Sequence, residues 1–226
     1  MTGRSTYPSP MSPLPSSGLP MFPLGAVVLP GELLPLRVFE RRYTEMIPDV
    51  LATDGRFGVV LIERGSEVGG GDVRADVGTA VEIDQWTPSG AGRMSLTCRG
   101  LARIRVEAWL PDDPYPRAVV RDDPDEAVGD VVWDGIMERR AQLRLLCGQG
   151  GRRDPQLRWI AAHLLDDVCY ADGDPVAESF RAASDLPLGT ADRHAVLAAP
   201  DPARRIDAIE SALDDLVAAL RFRLNP

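Results

Sequence analysis

The chain has no lysine; all 25 of its basic residues are arginine. A Walker-A loop needs a lysine on the nucleotide phosphates after its glycines, so no P-loop can be drawn from these residues. A Ser-Lys hydrolytic pair is excluded as well. Arginine cannot stand in for the base, because its pKa above about 12 keeps it protonated. Cysteine is nearly as scarce: Cys98, Cys147 and Cys169 are far apart and odd in number. That count argues against a disulfide framework and for reduced thiols in a cytoplasmic setting. No apolar run approaches the roughly 18 residues that cross a bilayer. The first residues carry one base, Arg4, and no apolar core, so they do not read as a secretory signal.

What is present is an ordinary globular composition, 44% hydrophobic and 26% charged, enough for a real core. A length of 226 residues fits one domain or two small ones. The net charge of −9 opposes broad affinity for nucleic acid, which depends on neutralising phosphates. Arginine as the sole strong base, with abundant Ala, Gly, Pro and Asp, fits a GC-rich bacterial coding sequence.

Residues 1–18 are rich in Pro and Ser, lack periodicity and read as a disordered tail. Residues 19–124 read as a β-subdomain. Short apolar or alternating runs at Ala26–Leu29, Leu33–Val38, Phe57–Glu63, Thr79–Trp86, Met94–Arg99, Ala102–Trp109 and Arg117–Arg121 are separated by Gly- and Pro-rich breaks. One helix is expected near Glu40–Leu51, ended or kinked by Pro48. Strands at this spacing predict a barrel or sandwich.

Residues 125–226 read as helices. Val132, Ile136, Leu143 and Leu146 form a stripe over Val128–Cys147, with Gly148 as the stop. Leu157, Ile160, Leu164 and Val168 share a face in Asp154–Tyr170. Asp154-Pro155, Asp174-Pro175 and Asp201-Pro202 each put a capping Asp before a Pro at the first helical position. A final helix near 202–224 carries Ile206, Ile209, Leu213, Leu216, Leu220 and Leu224. Neither half has a generous core alone, so the two are expected to pack as one unit.

Candidate chemistry is thin. His163 and His194 are the only histidines, and each reads most simply as a partly buried or surface side chain. Cys147, His163 and Cys169 lack the close pairs of a zinc site. The acidic stretch Asp112–Asp134 lacks the calcium-loop pattern and reads as a solvated linker. Glycines 69–71 followed by Asp72 precede no helix and read as a hairpin tip rather than a phosphate cradle.

Two patterns point to binding. Arg93 and Arg99 alternate with Met94, Leu96 and Cys98, while Arg103 and Arg105 alternate with Ile104 and Val106. As a hairpin, the two strands would show four arginines on one face, either a strip for RNA or acidic peptide or a solvated face paired with Asp and Glu. Among the aromatics, Phe39 and Tyr43 at i, i+4 suit helix packing. Trp86 and Tyr115 sit at loop edges and are the better candidates for an exposed apolar patch.

The order of landmarks across residues 19–222 resembles the Lon protease N-terminal, substrate-binding domain. The carriers are Met21-Phe22-Pro23-Leu24, Leu34-Pro35-Leu36, Phe39-Glu40 with Arg42-Tyr43, Gly78-Thr79-Ala80, Arg99-Gly100-Leu101-Ala102-Arg103, Pro114-Tyr115, Leu186-Pro187-Leu188 and Arg204-Arg205-Ile206. The chain departs from the family at Arg41, where Pro is frequent, and at His194–Leu197, where Gln-x-Leu-Leu is common. The resemblance implies an α+β fold: a PUA-like β-barrel-type subdomain followed by a helical one. It implies a non-catalytic module for unfolded or degron-bearing polypeptide, working alone or with a protease, with no cofactor. RNA binding through the arginine strip is the alternative, since PUA-like folds also serve that role. An enzyme in its own right has no readable nucleophile–base pair to support it.

Overall fold

The computed structural model describes residues 18–65, 72–90, 92–126, 131–152, 154–164, 170 and 173–224. The expected tail, Gly18 excepted, lies outside the described residues, as do glycines 69–71 and Cys169. The chain divides into two compact units, one ending at Pro124 and one beginning at Asp125.

The first unit holds β1 (Leu19–Leu24), β2 (Leu33–Val38), α1 (Arg41–Leu51), β3 (Arg56–Arg64), β4 (Val73–Pro88), β5 (Met94–Trp109) and β6 (Arg117–Asp122). The sheet order is β2-β5-β4-β3-β1-β6, and a further β5–β6 pairing closes β1, β3, β4, β5 and β6 into a barrel. β1 and β3 are parallel and the other pairs antiparallel. Side chains alternate between two cores. Leu19, Met21, Val60, Ala80, Ile104, Ala118 and Val120 fill the barrel interior. Their neighbours Phe22, Val59 and Val81 face outward and pack with α1.

The first strand differs from expectation. The strand is Leu19–Leu24, and Ala26–Leu29 is a loop. Val27, Val28 and Leu29 are nonetheless buried, and the Thr79 hydroxyl donates to the Val28 carbonyl at 2.6 Å. Burial without a ladder explains why this apolar run looks like a strand. Two glycines hold backbone close to backbone. A Cβ on Gly78 would lie 2.4 Å from the Val59 carbonyl oxygen, and one on Gly100 would lie 2.5 Å from that of Leu29.

Helix α1 buries Tyr43, Met46, Ile47 and Val50, one face of a 3.6-residue period. Each such side chain contributes about 1.5–3 kcal/mol on burial. Tyr43 stacks on Phe22 with centroids 3.9 Å apart. Pro48 neither ends nor interrupts the helix. It lies on the exposed side, where water can serve the carbonyl that a proline nitrogen leaves without its bond.

Strand β5 is one continuous element rather than a hairpin. Between Ala80↔Ala102 and Val81↔Gly100 it carries an extra residue, Leu101, which is a β-bulge. The acidic stretch is no solvated linker. It contains β6, Asp112 pairs with Arg74 at 3.0 Å, and buried Asp123 pairs with Arg103 at 3.2 Å.

The second unit contains α2 (Asp134–Gly150), α3 (Pro155–His163), α4 (Pro175–Ser184), α5 (Thr190–Ala198) and α6 (Pro202–Leu224). α6 packs on α2, α4 and α5 through Ile206, Ile209, Leu213 and Val217. The three Asp caps are formed. Asp154 accepts from the Gln156 and Leu157 amides, Asp174 from Ala177 and Asp201 from Arg204. Gly148 is not a stop. α2 runs through it to Gly150, and the Gly151 amide bonds the Cys147 carbonyl at 2.8 Å. Val132 lies before α2 and is exposed. α3 leaves helical geometry at Leu164, six residues before Tyr170.

Candidate functional site

The sheet of the first unit outgrows its barrel. β3 pairs with β4 only as far as Arg56↔Glu82, and the Ile83 amide makes the last link, to the Gly55 carbonyl. Beyond that point the end of β4, the first half of β5 and β2 form a three-stranded arm. Its apolar face reads across in register: Leu34, Cys98 and Ile83, then Leu36, Leu96 and Trp86, then Val38, Met94 and Pro88.

Strict alternation would put Ile83 and Trp86 on opposite faces. A second bulge prevents this. Asp84 is the extra residue between Ile83↔Cys98 and Gln85↔Thr97, and it returns Trp86 to the apolar face. The Asp84 carboxylate accepts from Arg99 at 2.7 Å. Leu36 and Leu96, on β2 and β5, are buried in one core with Tyr43, Met46, Ile47 and Val50 of α1, while Trp86 stays 50% exposed. Phe39, directly after β2 at the same end of the arm, is 61% exposed. Two strand spacings, about 10 Å, separate β2 from β4. The arm therefore ends in two large exposed rings beside an apolar face, with β2 as an edge strand of the sheet.

Phe39 does not pack with Tyr43 as its spacing suggested, because the helix starts only at Arg41. The extended run Leu33–Val38 with Pro35, directly before it, was the signal that it lies outside the helical period. Tyr115 goes the other way. It is 7% exposed within the outer core, and its hydroxyl donates to Asp49 at 2.9 Å. Burial, and then Asp49, push its pKa up.

The arginine strip does not form one face. The bulge at Leu101 pairs Arg99 with Glu82 but Arg103 with Thr79, three residues apart on β4 and hence on opposite faces. Acidic partners also hold these side chains. Arg103 is buried and donates to the Asp123 carbonyl at 2.9 Å, and Arg105 pairs with Asp76 at 3.2 Å and Asp123 at 3.1 Å. Arg93 precedes β5 and is exposed.

His163 is exposed, stacked on Trp159 at 3.9 Å. Cys98 and Cys147 are buried free thiols, and burial, with the Asp84 charge adding, pushes Cys98 up to about 12. These are unreactive thiols rather than nucleophiles. Among the described residues, no group of three or more His, Cys, Asp or Glu side chains could hold a metal ion, and no helix is long and apolar enough to cross a membrane.

A barrel with an overhanging arm, followed by a helical unit, is an α+β fold whose exposed features suit binding. Residues 18–215 match the ATP-dependent protease La (LON) substrate-binding domain, and the chain belongs to that family. It is similar to a Lon N-terminal domain protein from Xanthomonas campestris, with 29% identity and a TM-score of 0.57 over 86% of this chain and 97% of that one. The N-terminal domain of Mycobacterium avium complex Lon protease has the same fold, with 18% identity and a TM-score of 0.55 over 88% and 98% of the two chains. Lon protease 2 of Myxococcus xanthus is 29% identical over 87% of this chain, and Lon protease of Anaeromyxobacter dehalogenans 30% identical over 75%. The chain spans only 23% and 20% of the lengths of those two relatives.

Proposed function

We propose that this protein is a non-catalytic recognition module for unfolded or degron-bearing polypeptide, and that the arm of the first unit receives it. The carrying observation is Trp86, turned by the Asp84 bulge onto an apolar face and left half exposed, with Phe39 exposed at the same end. Extended segments rich in apolar side chains would lay them against these rings, while the backbone of β2 offers an edge for main-chain hydrogen bonds. Pro35 in β2 fits an edge strand, where a missing amide need break no ladder hydrogen bond. The module would hand its client to a protease or keep it from one. The 226 residues contain no lysine, so they supply no Ser-Lys hydrolytic pair themselves. A cytoplasmic setting suits the buried free thiols Cys98 and Cys147.

The test is fluorescence anisotropy with a labelled, permanently unfolded polypeptide and with structured RNA, each across a salt series. Saturable polypeptide binding with weak salt dependence, lost about tenfold in Trp86→Ala and further in the double variant with Phe39→Ala, is the expected result. RNA binding alone, falling steeply with salt, would overturn the reading and return attention to Arg93 and Arg99.

A further inference from the structure

We propose that the arm prefers acidic clients: Arg37 on β2 and Arg93 just before β5 take the carboxylates of an extended apolar segment added at the β2 edge. The inference rests on the arm being the receiving site and adds which polypeptides it favours. From Leu33 to Phe39 and from Gln85 to Cys98 the sequence carries two bases, Arg37 and Arg93, and no Asp or Glu. In a chain of net charge −9, the outer part of the arm is positive. Two acids at its borders are engaged: Asp84 accepts from Arg99 at 2.7 Å, and Glu40 from Arg42 at 3.1 Å. Arg37 and Arg93 are exposed, and among the described residues neither guanidinium has a hydrogen bond or an ion pair.

Register puts both arginines on one face. Arg37 stands opposite Ser95, and Ser95 opposite Thr87. The Ser89 amide donates to the Arg93 carbonyl at 2.8 Å, so the β4–β5 pairing runs on to these two residues. Alternation then gives Arg37, Thr87, Ser89, Arg93 and Ser95 a common face, and the 2.9 Å contact between the Ser89 and Ser95 hydroxyls agrees. It is the reverse of the face that holds Leu36, Leu96 and Trp86. Arg37 and Arg93 are diagonal neighbours across the strands, with backbones about 7–8 Å apart, within reach of carboxylates on one bound segment.

The occupant follows from these neighbours. A strand added to β2 would set alternate side chains beside Leu34, Leu36 and Val38 on one face and beside Leu33, Pro35 and Arg37 on the other. Apolar residues suit all of these except Arg37. A carboxylate there can accept both prongs of the guanidinium, whereas Lys or Arg would meet like charge. Nucleic acid is the poorer match, because affinity for phosphates scales with the number of cations that neutralise them, and the face offers two.

The experiment uses the whole chain and three fluorescein-labelled peptides. They share a core of alternating Leu and Thr and carry a pair of Glu, Gln or Lys residues at each end; labelled oligouridine is a fourth probe. By anisotropy, the Glu peptide should bind about three- to tenfold tighter than the Gln peptide, as two exposed charge pairs allow, and the Lys peptide weakest. Added salt should erase this ranking and leave the Gln peptide unmoved. Arg37→Gln with Arg93→Gln should level the ranking, and Arg37→Glu with Arg93→Glu should reverse it, with unfolding midpoints checking both. Arg152→Glu with Arg158→Glu makes the same change of net charge at exposed positions of the helical unit and should preserve it. Equal binding of the three peptides, weakened alike by Trp86→Ala, would overturn this inference and leave the arm as the receiving site. A ranking that survives in the folded Arg37→Glu, Arg93→Glu protein would overturn it too. Binding of none of the peptides would sink both readings. Oligouridine held tighter than the Glu peptide, and released by Arg37→Gln with Arg93→Gln, would give the face to RNA instead.

Discussion

Arg205 and Asp125 form a two-pronged ion pair out of reach of water. The Arg205 Nη2 lies 2.7 Å from Asp125 Oδ1 and 3.0 Å from Oδ2, and the two side chains are 0% and 7% exposed. Nη1 donates to the Ser179 hydroxyl at 2.7 Å, and the guanidinium lies 3.6 Å over the Phe180 ring. This one side chain ties the start of the helical unit to α4 and α6. Arg205→Ala removes the guanidinium partner of a buried carboxylate and should cost about 3–5 kcal/mol. Arg205→Lys should recover only part, because one ammonium cannot reach both Asp125 and the Ser179 hydroxyl as Nη2 and Nη1 do. Urea unfolding followed by far-ultraviolet circular dichroism reads both.

Gly78 and Gly100 should resist replacement by alanine. Both added methyl groups would press on backbone carbonyl oxygens, which cannot rotate away as a side chain does. Each substitution should cost about 1–3 kcal/mol, the usual range for overpacking. Gly148→Ala is the control, since its methyl enters open space and removes the penalty of a mid-helix glycine, about 1 kcal/mol. Thermal unfolding of the three variants should rank Gly148→Ala above wild type and the other two below it.

Trp86 and Tyr115 should part company on mutation. Trp86→Ala should barely move the unfolding midpoint, because half of the ring is already in water, and should weaken polypeptide binding. Tyr115→Phe removes a hydrogen bond to Asp49 and should cost about 1 kcal/mol of stability with binding untouched. Paired denaturation and anisotropy measurements separate the two effects.

The fold should weaken in alkali. Burial pushes Cys98 and Tyr170 each to about 12, and raises Tyr43 and Cys147 as well. A raised folded pKa means the unfolded chain releases its proton first. The stability from each group is complete below the unfolded value, 9.0 for cysteine and 10.0 for tyrosine. It is lost as pH rises toward the folded value, at about 1.4 kcal/mol per pH unit for each group. The urea midpoint should therefore fall increasingly as pH rises above 9.0.

Periodicity and punctuation made much of this fold legible. The alternating strands, the amphipathic α1 and the Asp-Pro helix starts are local signals, and local hydrogen bonding enforces them. What stayed hidden depends on partners distant in sequence. The run Ala26–Leu29 looks like a strand because it is buried, and only the Thr79 hydroxyl reveals that no ladder serves it. The bulges at Leu101 and Asp84 each shift side-chain parity by one, and neither leaves a mark that alternation can show. They divided the four arginines between two faces and brought Trp86 to the apolar one. For the same reason Trp86 could be named from its loop-edge position, whereas the exposure of Phe39 and the burial of Tyr115 could not.

Closing the barrel has a consequence for the protein's own synthesis. Leu19 pairs with Ala118, so the first strand made waits for the last before the ring is complete. Until β6 leaves the ribosome, Met21, Val60 and Ile104 line a half-built wall open to water. Contacts this distant in sequence form slowly, and an unfinished sheet is a template for pairing with other chains. A nascent chain stopped before Arg117 would carry the same exposed apolar strands that its finished form is proposed to recognise in others.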